Sequence, residues 1–143
     1  MRESVLVYNL IRGLYGVVHL MRANVGSVYT KDGRRFSTGL PKGFPDLFGV
    51  LPPWESKSGQ EKTVFLEVKV HPNKPTPEQV AFLDHYKRMG CICGVVYSVD
   101  DAWALLMPYL KPRYYDDTGA LIYTDEGGEQ DDGKTENVLT GDC

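Results

Sequence analysis

The sequence predicts a single α/β domain: a mixed β-sheet flanked by helices, in the order helix, three strands, helix, strand, with one further helix on the C-terminal side. Three observations predict it. Residues 63–70, TVFLEVKV, alternate as a strand does. Residues 91–99, CICGVVYSV, form a short apolar run that reads as a buried strand. Between them, TPEQVAFLDHYKRMG opens with a helix-start signature and closes on Gly90, which predicts a helix over 77–89. Strand, helix and strand in succession imply a right-handed crossover if the two strands are parallel neighbours.

The remaining elements follow from local pattern. In residues 3–13, ESVLVYNLIRG, Val5, Tyr8 and Ile11 with Leu6 and Leu10 make a broad apolar stripe at helical spacing, ended by Gly13 and Gly16. The β-branched, roughly alternating YGVVHLMR predicts a strand over about 15–22. NVGSVYTKDGRRFSTGLPKG reads as a loop or hairpin turning near Lys31-Asp32-Gly33. FPDLFGVLP, residues 44–52, is a short strand opened by a proline. The polar turn 54–62 joins it to 63–70, which predicts an antiparallel hairpin. DDAWALLMPYL predicts a last helix, with Asp100 or Asp101 as N-cap and Pro108 near its end.

With 143 residues and 42% hydrophobic content, the chain suits one domain with a real core. The nearest approach to a membrane span, SVLVYNLIRGLYGVVHLM, is broken by Arg12 and two glycines, and no cleavage-type site follows it. Cys91 and Cys93 with Cys143 fit reduced thiols better than a disulfide framework, and no second ligand pair completes a zinc site. These features point to an intracellular protein without a membrane partner. Charge is unevenly spread: residues 116–143 carry −8 and the rest +5, out of a total of −3. The division expected is a domain over 1–115 and an acidic, flexible tail over 116–143; a basic body is compatible with a polyanionic partner.

Alternation puts Phe65, Glu67 and Lys69 on one face of their strand and Leu66, Val68 and Val70 on the other. The second face is core; the first, taken alone, reads as a solvent-facing pair worth little. The preceding strand changes that reading, because a hairpin brings Asp46 across from Glu67. Two converging carboxylates repel unless neutralised, and a divalent cation with hard oxygen ligands is the usual remedy. A lysine two residues away is then placed to stabilise charge developing on a phosphate or to position a hydroxide.

Pro45-Asp46 followed by Glu67-Val68-Lys69 resembles the signature of the PD-(D/E)XK nuclease superfamily. GLPKGFPDLFGVLP, FLEVKVHPNKPTPEQVAFL and GVVYSVDDA together resemble the VRR-NUC family within it, over about residues 39–103. The resemblance implies a restriction-endonuclease-like core with αβββαβ order and metal-dependent hydrolysis of DNA phosphodiesters. It implies Asp46, Glu67 and the Val68 carbonyl as ligands of Mg²⁺ or Mn²⁺, Lys69 as catalytic lysine, and Gln79 as a helix glutamine facing the site. Glu3 is the only match for the family's acidic residue in the first helix. The resemblance further implies a bacterial or phage protein acting in bacterial or infected-host cytoplasm, pairing as a homodimer on branched DNA such as a Holliday junction. A flap or linear-duplex nuclease, a nicking subunit of a larger complex, and a non-catalytic DNA-binding module are the competing readings.

Several residues carry two explanations. Thr76-Pro77-Glu78-Gln79 is also a capping box, which accounts for Gln79 without chemistry. His71, two residues beyond Lys69, is an accessory candidate. Arg22, Lys31, Arg34, Arg35 and Lys42 approach the Asp46 segment and are candidate phosphate contacts. Phe44 and Trp54 are better explained by packing than by base stacking.

Overall fold

The computed structural model describes residues 1–24, 27–119 and 121–122. The chain divides into two compact units, Met1–Tyr109 and Leu110–Cys143. Helix α1 (Glu3–Leu14) opens the first unit. Its buried stripe is Leu6, Val7, Leu10 and Leu14; Val5 and Tyr8, counted with the core from the sequence, lie outside it and are exposed. Spacing of four between Leu6, Leu10 and Leu14 makes the narrower stripe sufficient.

Six strands and a further pair of helices complete the unit. Strands β1 (Met21–Arg22), β4 (Leu47–Leu51), β5 (Lys62–Val68) and β6 (Ile92–Val96) form one sheet in the order β1-β4-β5-β6. β2 (Ser27–Tyr29) and β3 (Arg35–Ser37) form a separate two-stranded hairpin between β1 and β4. β1, β4 and β5 run antiparallel, with Leu47 opposite Leu66, and β5 runs parallel to β6, with Phe65 opposite Cys93. The mixed sheet, the β4–β5 hairpin and the parallel crossover through α2 (Pro77–Arg88) are therefore as the sequence predicts.

β5 is buried on both faces, which corrects the expectation of a half-buried strand. Val64, Leu66 and Val68 join Leu10, Leu14, Leu47, Leu51, Ile92, Val96, Ala102 and Leu106 in the larger core, the last two contributed by α3 (Val99–Leu106). On the opposite face Phe65 packs with Leu83 and Cys93, and Phe44, Phe48, Phe82 and Tyr86 close around them. Phe82 and Tyr86, four apart on α2, stack at 4.5 Å, and Phe82 meets Phe65 edge-on at 5.2 Å. Cys91 and Cys93 are free thiols, and burial pushes Cys93 up to about 11; Cys143 lies outside the described residues.

Two boundaries depart from expectation for visible reasons. The strand expected over 15–22 shrinks to Met21–Arg22. Val17 and Val18 are buried, but both amides donate to the Leu14 carbonyl, so they end α1 and leave the ladder. The N-cap of α3 is Ser98, not Asp100 or Asp101: Ser98 Oγ accepts from the Asp101 amide at 3.0 Å, and Asp101 Oδ2 reaches back to the Tyr97 amide at 2.8 Å. A single 3₁₀ turn, Met107–Tyr109, carries Pro108 and ends the unit.

In the second unit β7 (Tyr114–Tyr115) pairs antiparallel with β8 (Leu121–Ile122). Asp116 Oδ1 accepts from the Thr118 amide and hydroxyl in the intervening turn. Beyond Ile122 the expected acidic tail lies outside the described residues. Among the described residues no helix is long and apolar enough to cross a membrane.

β4 sits close under the segment arriving from α1: a methyl group on Gly49 would lie 2.5 Å from the His19 carbonyl oxygen. Gly49→Ala is therefore expected to cost roughly 1–3 kcal/mol by forcing the two backbones apart. Gly16→Ala, which meets nothing within 4 Å, is the control and is expected to be neutral or slightly stabilising. Urea titrations that gave both variants the same midpoint would refute this packing account.

Candidate active site

The site begins with how the chain delivers Asp46. Gly43 adopts φ +94°, and a methyl group on it would meet the Glu78 carbonyl oxygen at 2.7 Å, so the approach to Asp46 lies directly on the first turn of α2. Phe44 then enters the aromatic cluster, within 5.2–5.8 Å of Phe48, Phe65 and Phe82, and Pro45 is fully buried. Asp46 follows, immediately before β4. Its carbonyl accepts from the Ala23 amide at 2.8 Å, and its Oδ2 accepts from the Val68 amide at 2.9 Å. Both its backbone and its carboxylate are thereby held from neighbouring strands.

Continuing the β4–β5 register by one residue sets Asp46 opposite Glu67. Glu67 is 2% exposed, one of two buried polar or charged residues among those described. Its carboxyl is raised to about 8, first by burial and then by the charge of Asp46 and a side-chain hydrogen bond with it, while Lys69 pulls the other way. Glu67 therefore largely keeps its proton at neutral pH. Lys69 Nζ stands 3.5 Å from Glu67 Oε2, with only 17% of its side chain exposed, and the Lys69 amide donates to the Val96 carbonyl. In an extended strand the N–H and C=O of one residue point to the same edge. Since the Val68 N–H meets Asp46, the Val68 carbonyl is directed to that edge too.

Asp46, Glu67, Lys69 and the Val68 backbone are therefore brought together as the sequence predicts. Gln79 makes the capping box: Thr76 Oγ1 accepts from the Gln79 amide at 3.2 Å, and Gln79 Oε1 accepts from the Thr76 amide at 2.8 Å. Its carbonyl oxygen is committed to the helix start. Glu3 opens α1 and is exposed, while the carboxylate acting on Glu67 is Asp46. His71 is exposed and stacks on Tyr97, with centroids 4.1 Å apart. Arg22 lies on β1 opposite Leu47, next in register to Asp46. Lys31, Arg34 and Arg35 lie on the β2–β3 hairpin. Arg34 is 3.6 Å from Asp32, and Lys42 is 3.7 Å from Glu78, both at exposed positions.

Reading the sequence missed the support for the segment after Lys69. Tyr97, at the end of β6, stacks on His71, and its hydroxyl donates to the Asn73 carbonyl at 3.0 Å. The signal available was an aromatic residue one position beyond a parallel strand whose neighbour carries the lysine. Among the described residues no cluster of three or more His, Cys, Asp or Glu side chains is present. The donor set is two carboxylates and one carbonyl, all oxygen, which fits Mg²⁺ or Mn²⁺ completed by water rather than zinc. The crowded carboxyls of Asp46 and Glu67 are the specific observation in favour: a divalent cation relieves their repulsion. No model of a known protein family matched the chain, and no curated protein matched it.

A carboxyl whose folded-state pKa is raised stabilises the fold below its unfolded value and loses that stabilisation as pH rises through the folded value. Without metal, stability is therefore expected to fall between about pH 4.5 and 8 on account of Glu67. Glu67→Gln, which copies the protonated form, is expected to match the parent at pH 5 and exceed it by roughly 1–3 kcal/mol at pH 9. Denaturant midpoints at the two pH values test this; an equal offset at both would show that Glu67 does not titrate in the window. Mg²⁺ or Mn²⁺ is expected to raise the parent's Tm more at pH 8 than at pH 6, and to lose that effect in Glu67→Gln.

Proposed function

We propose that the chain is a divalent-metal-dependent DNA nuclease with a restriction-endonuclease-like core of the VRR-NUC type. The observation that carries this reading is the Asp46–Glu67 pair, opposed across two central strands with Lys69 Nζ 3.5 Å from Glu67 Oε2. A purely structural hairpin gains nothing from burying the Glu67 carboxyl against a second carboxyl, which costs stability.

Asp46, Glu67 and the Val68 carbonyl would hold Mg²⁺ or Mn²⁺, which when bound supplies an activated water and charge neutralisation at a phosphodiester. The chain's own residues do the rest. The Val68 amide fixes one Asp46 oxygen and leaves the other for ligation. Glu67 would release its carboxyl proton to solvent when the ion binds beside it. Lys69 brings a cation, largely shielded from solvent, to the place where negative charge grows on the phosphoryl oxygens in the transition state. The aromatic layer of Phe44, Phe65 and Phe82 keeps the floor of the site apolar, so these charges act at short range with little screening.

The finer reading is cleavage of branched DNA, Holliday-junction-like, by a homodimer. The exposed Val5 and Tyr8 of α1 offer a second copy an apolar face on that reading. A panel of four-way junction, flap, splayed and linear DNA, incubated with Mg²⁺ or Mn²⁺, tests activity and structure preference together. Asp46→Ala and Lys69→Ala are each expected to lower the cleavage rate at least about 100-fold, and EDTA to abolish cleavage. Cutting that survives both substitutions would overturn the site, and binding without cutting under every condition would leave the module a non-catalytic one.

A further inference from the structure

We propose that the β2–β3 hairpin is a base-stacking wedge that selects DNA carrying unpaired bases close to the scissile phosphate. The proposal rests on the nuclease reading and adds to it the substrate class and the residues that recognise it.

The hairpin is unusual in what it exposes. Thr30 N donates to the Arg34 carbonyl at 2.8 Å, and Gly33 N to the Thr30 carbonyl at 3.0 Å, with Gly33 at φ +88°. Asp32 accepts from the Thr30 hydroxyl, and the Arg34 amide donates back to that hydroxyl. The tip is thus a firmly bonded three-residue loop. Tyr29 lies opposite Arg35, and Phe36 is one register position along, so the two rings stand on opposite faces of the ribbon. Tyr29 is 71% exposed and Phe36 53% exposed. A two-stranded ribbon with a ring presented on each face gains no core from either ring within its own unit.

Chemistry and position identify the occupant. Lys31, Arg34 and Arg35 lie within the same turn and strand, so the rings are edged by cations suited to phosphates. Aromatic rings flanked by cations recognise unstacked bases, whose faces a closed duplex hides. The base of the hairpin is fastened to the site: Arg22 is opposite Leu47, and the Ala23 amide is bonded to the Asp46 carbonyl. Tyr29 is six residues from Ala23, so covalent length alone holds it within about 25 Å of Asp46. That reach is about seven base pairs of duplex. A branch point, where strands part within a few bases of an intact duplex, presents both features inside that distance.

The test uses the full-length protein in EDTA, so that binding is read without cutting. Probes are a four-way junction and a splayed duplex carrying 2-aminopurine at the branch, and a blunt duplex of equal length. Tyr29→Ala and Phe36→Ala are each expected to weaken binding to the branched probes about tenfold and to the blunt duplex by less than about twofold. Quenching of 2-aminopurine is expected to disappear with the ring and to return in Tyr29→Phe and Phe36→Trp. Lys31→Ala is expected to weaken all probes alike and to lower the salt slope by about one. Both rings are exposed, so the variants are expected to keep the parent's Tm.

Equal losses on branched and blunt DNA would overturn the wedge, as would no loss on either. So would a parent dimer that dissociates in sedimentation when Tyr29 or Phe36 is replaced, since a second copy would then cover the rings. If the parent cuts DNA in Mg²⁺ or Mn²⁺ and these variants keep its junction-to-duplex ratio, the wedge alone fails. A parent that neither binds nor cuts any probe removes both the wedge and the nuclease reading.

Discussion

Everything in the first unit is arranged around one unfavourable act, the burial of the Glu67 carboxyl in the central strand of a sheet. In water that group ionises near its ordinary value; here burial and the facing Asp46 push it to about 8. A cost on the order of a few kcal/mol is implied, a sizeable part of a domain's net stability. The surroundings offset it in three ways. Lys69 supplies an opposite charge, a side-chain hydrogen bond links Glu67 to Asp46, and the Val68 amide donates to Asp46 Oδ2. Such an arrangement is stable when neutral and more comfortable still when a cation joins it.

That constraint explains why the aromatic cluster is where it is. Glu67 shares its strand face with Phe65, so the layer that buries Phe65 also buries Glu67. α2 provides this layer through Phe82, Leu83 and Tyr86, and the same helix receives the Asp46 segment on its first turn at Gly43. One helix therefore sets the depth of one carboxylate and the approach of the other. Displacing α2 by a fraction of an ångström would alter both together, which gives its reciprocal Thr76–Gln79 cap a geometric importance beyond its own hydrogen bonds.

Much of this was legible in the residues themselves. The alternation of TVFLEVKV, the capping box of TPEQ and the apolar run CICGVV each have a sufficient local cause, and each appears where it was read. The opposition of Asp46 and Glu67 was legible because one polar turn between two short strands leaves few registers open. What could not be read locally was burial. Glu67 and Lys69 look like a solvent-facing pair until a helix is known to cover that face, and the crossover that puts it there is a tertiary fact. The same blindness exchanged Val5 and Tyr8 for Val7 and Leu14 in the core of α1, since helical spacing ranks faces but does not choose the one that meets the sheet. For residues 15–20, hydrophobicity was read correctly and pairing was not, because the Val17 and Val18 amides serve the preceding helix.

The distribution of charge now acquires a direction. The two carboxyls of the site sit where strand ends meet the start of α2, while Lys31, Arg34 and Arg35 lie on a hairpin that follows β1. Above about pH 8, where Glu67 ionises, a long polyanion attracted to Lys31, Arg34 and Arg35 is repelled by Asp46 and Glu67 until their charge is balanced. On the proposed nuclease reading, DNA binding and cation binding would then be linked, each making the other more favourable. A carboxyl pair over an apolar floor, beside a cationic ribbon, would achieve with electrostatics what a moving lid achieves by closure. On the proposed reading, it would keep the site unattractive to phosphate until a divalent cation is bound.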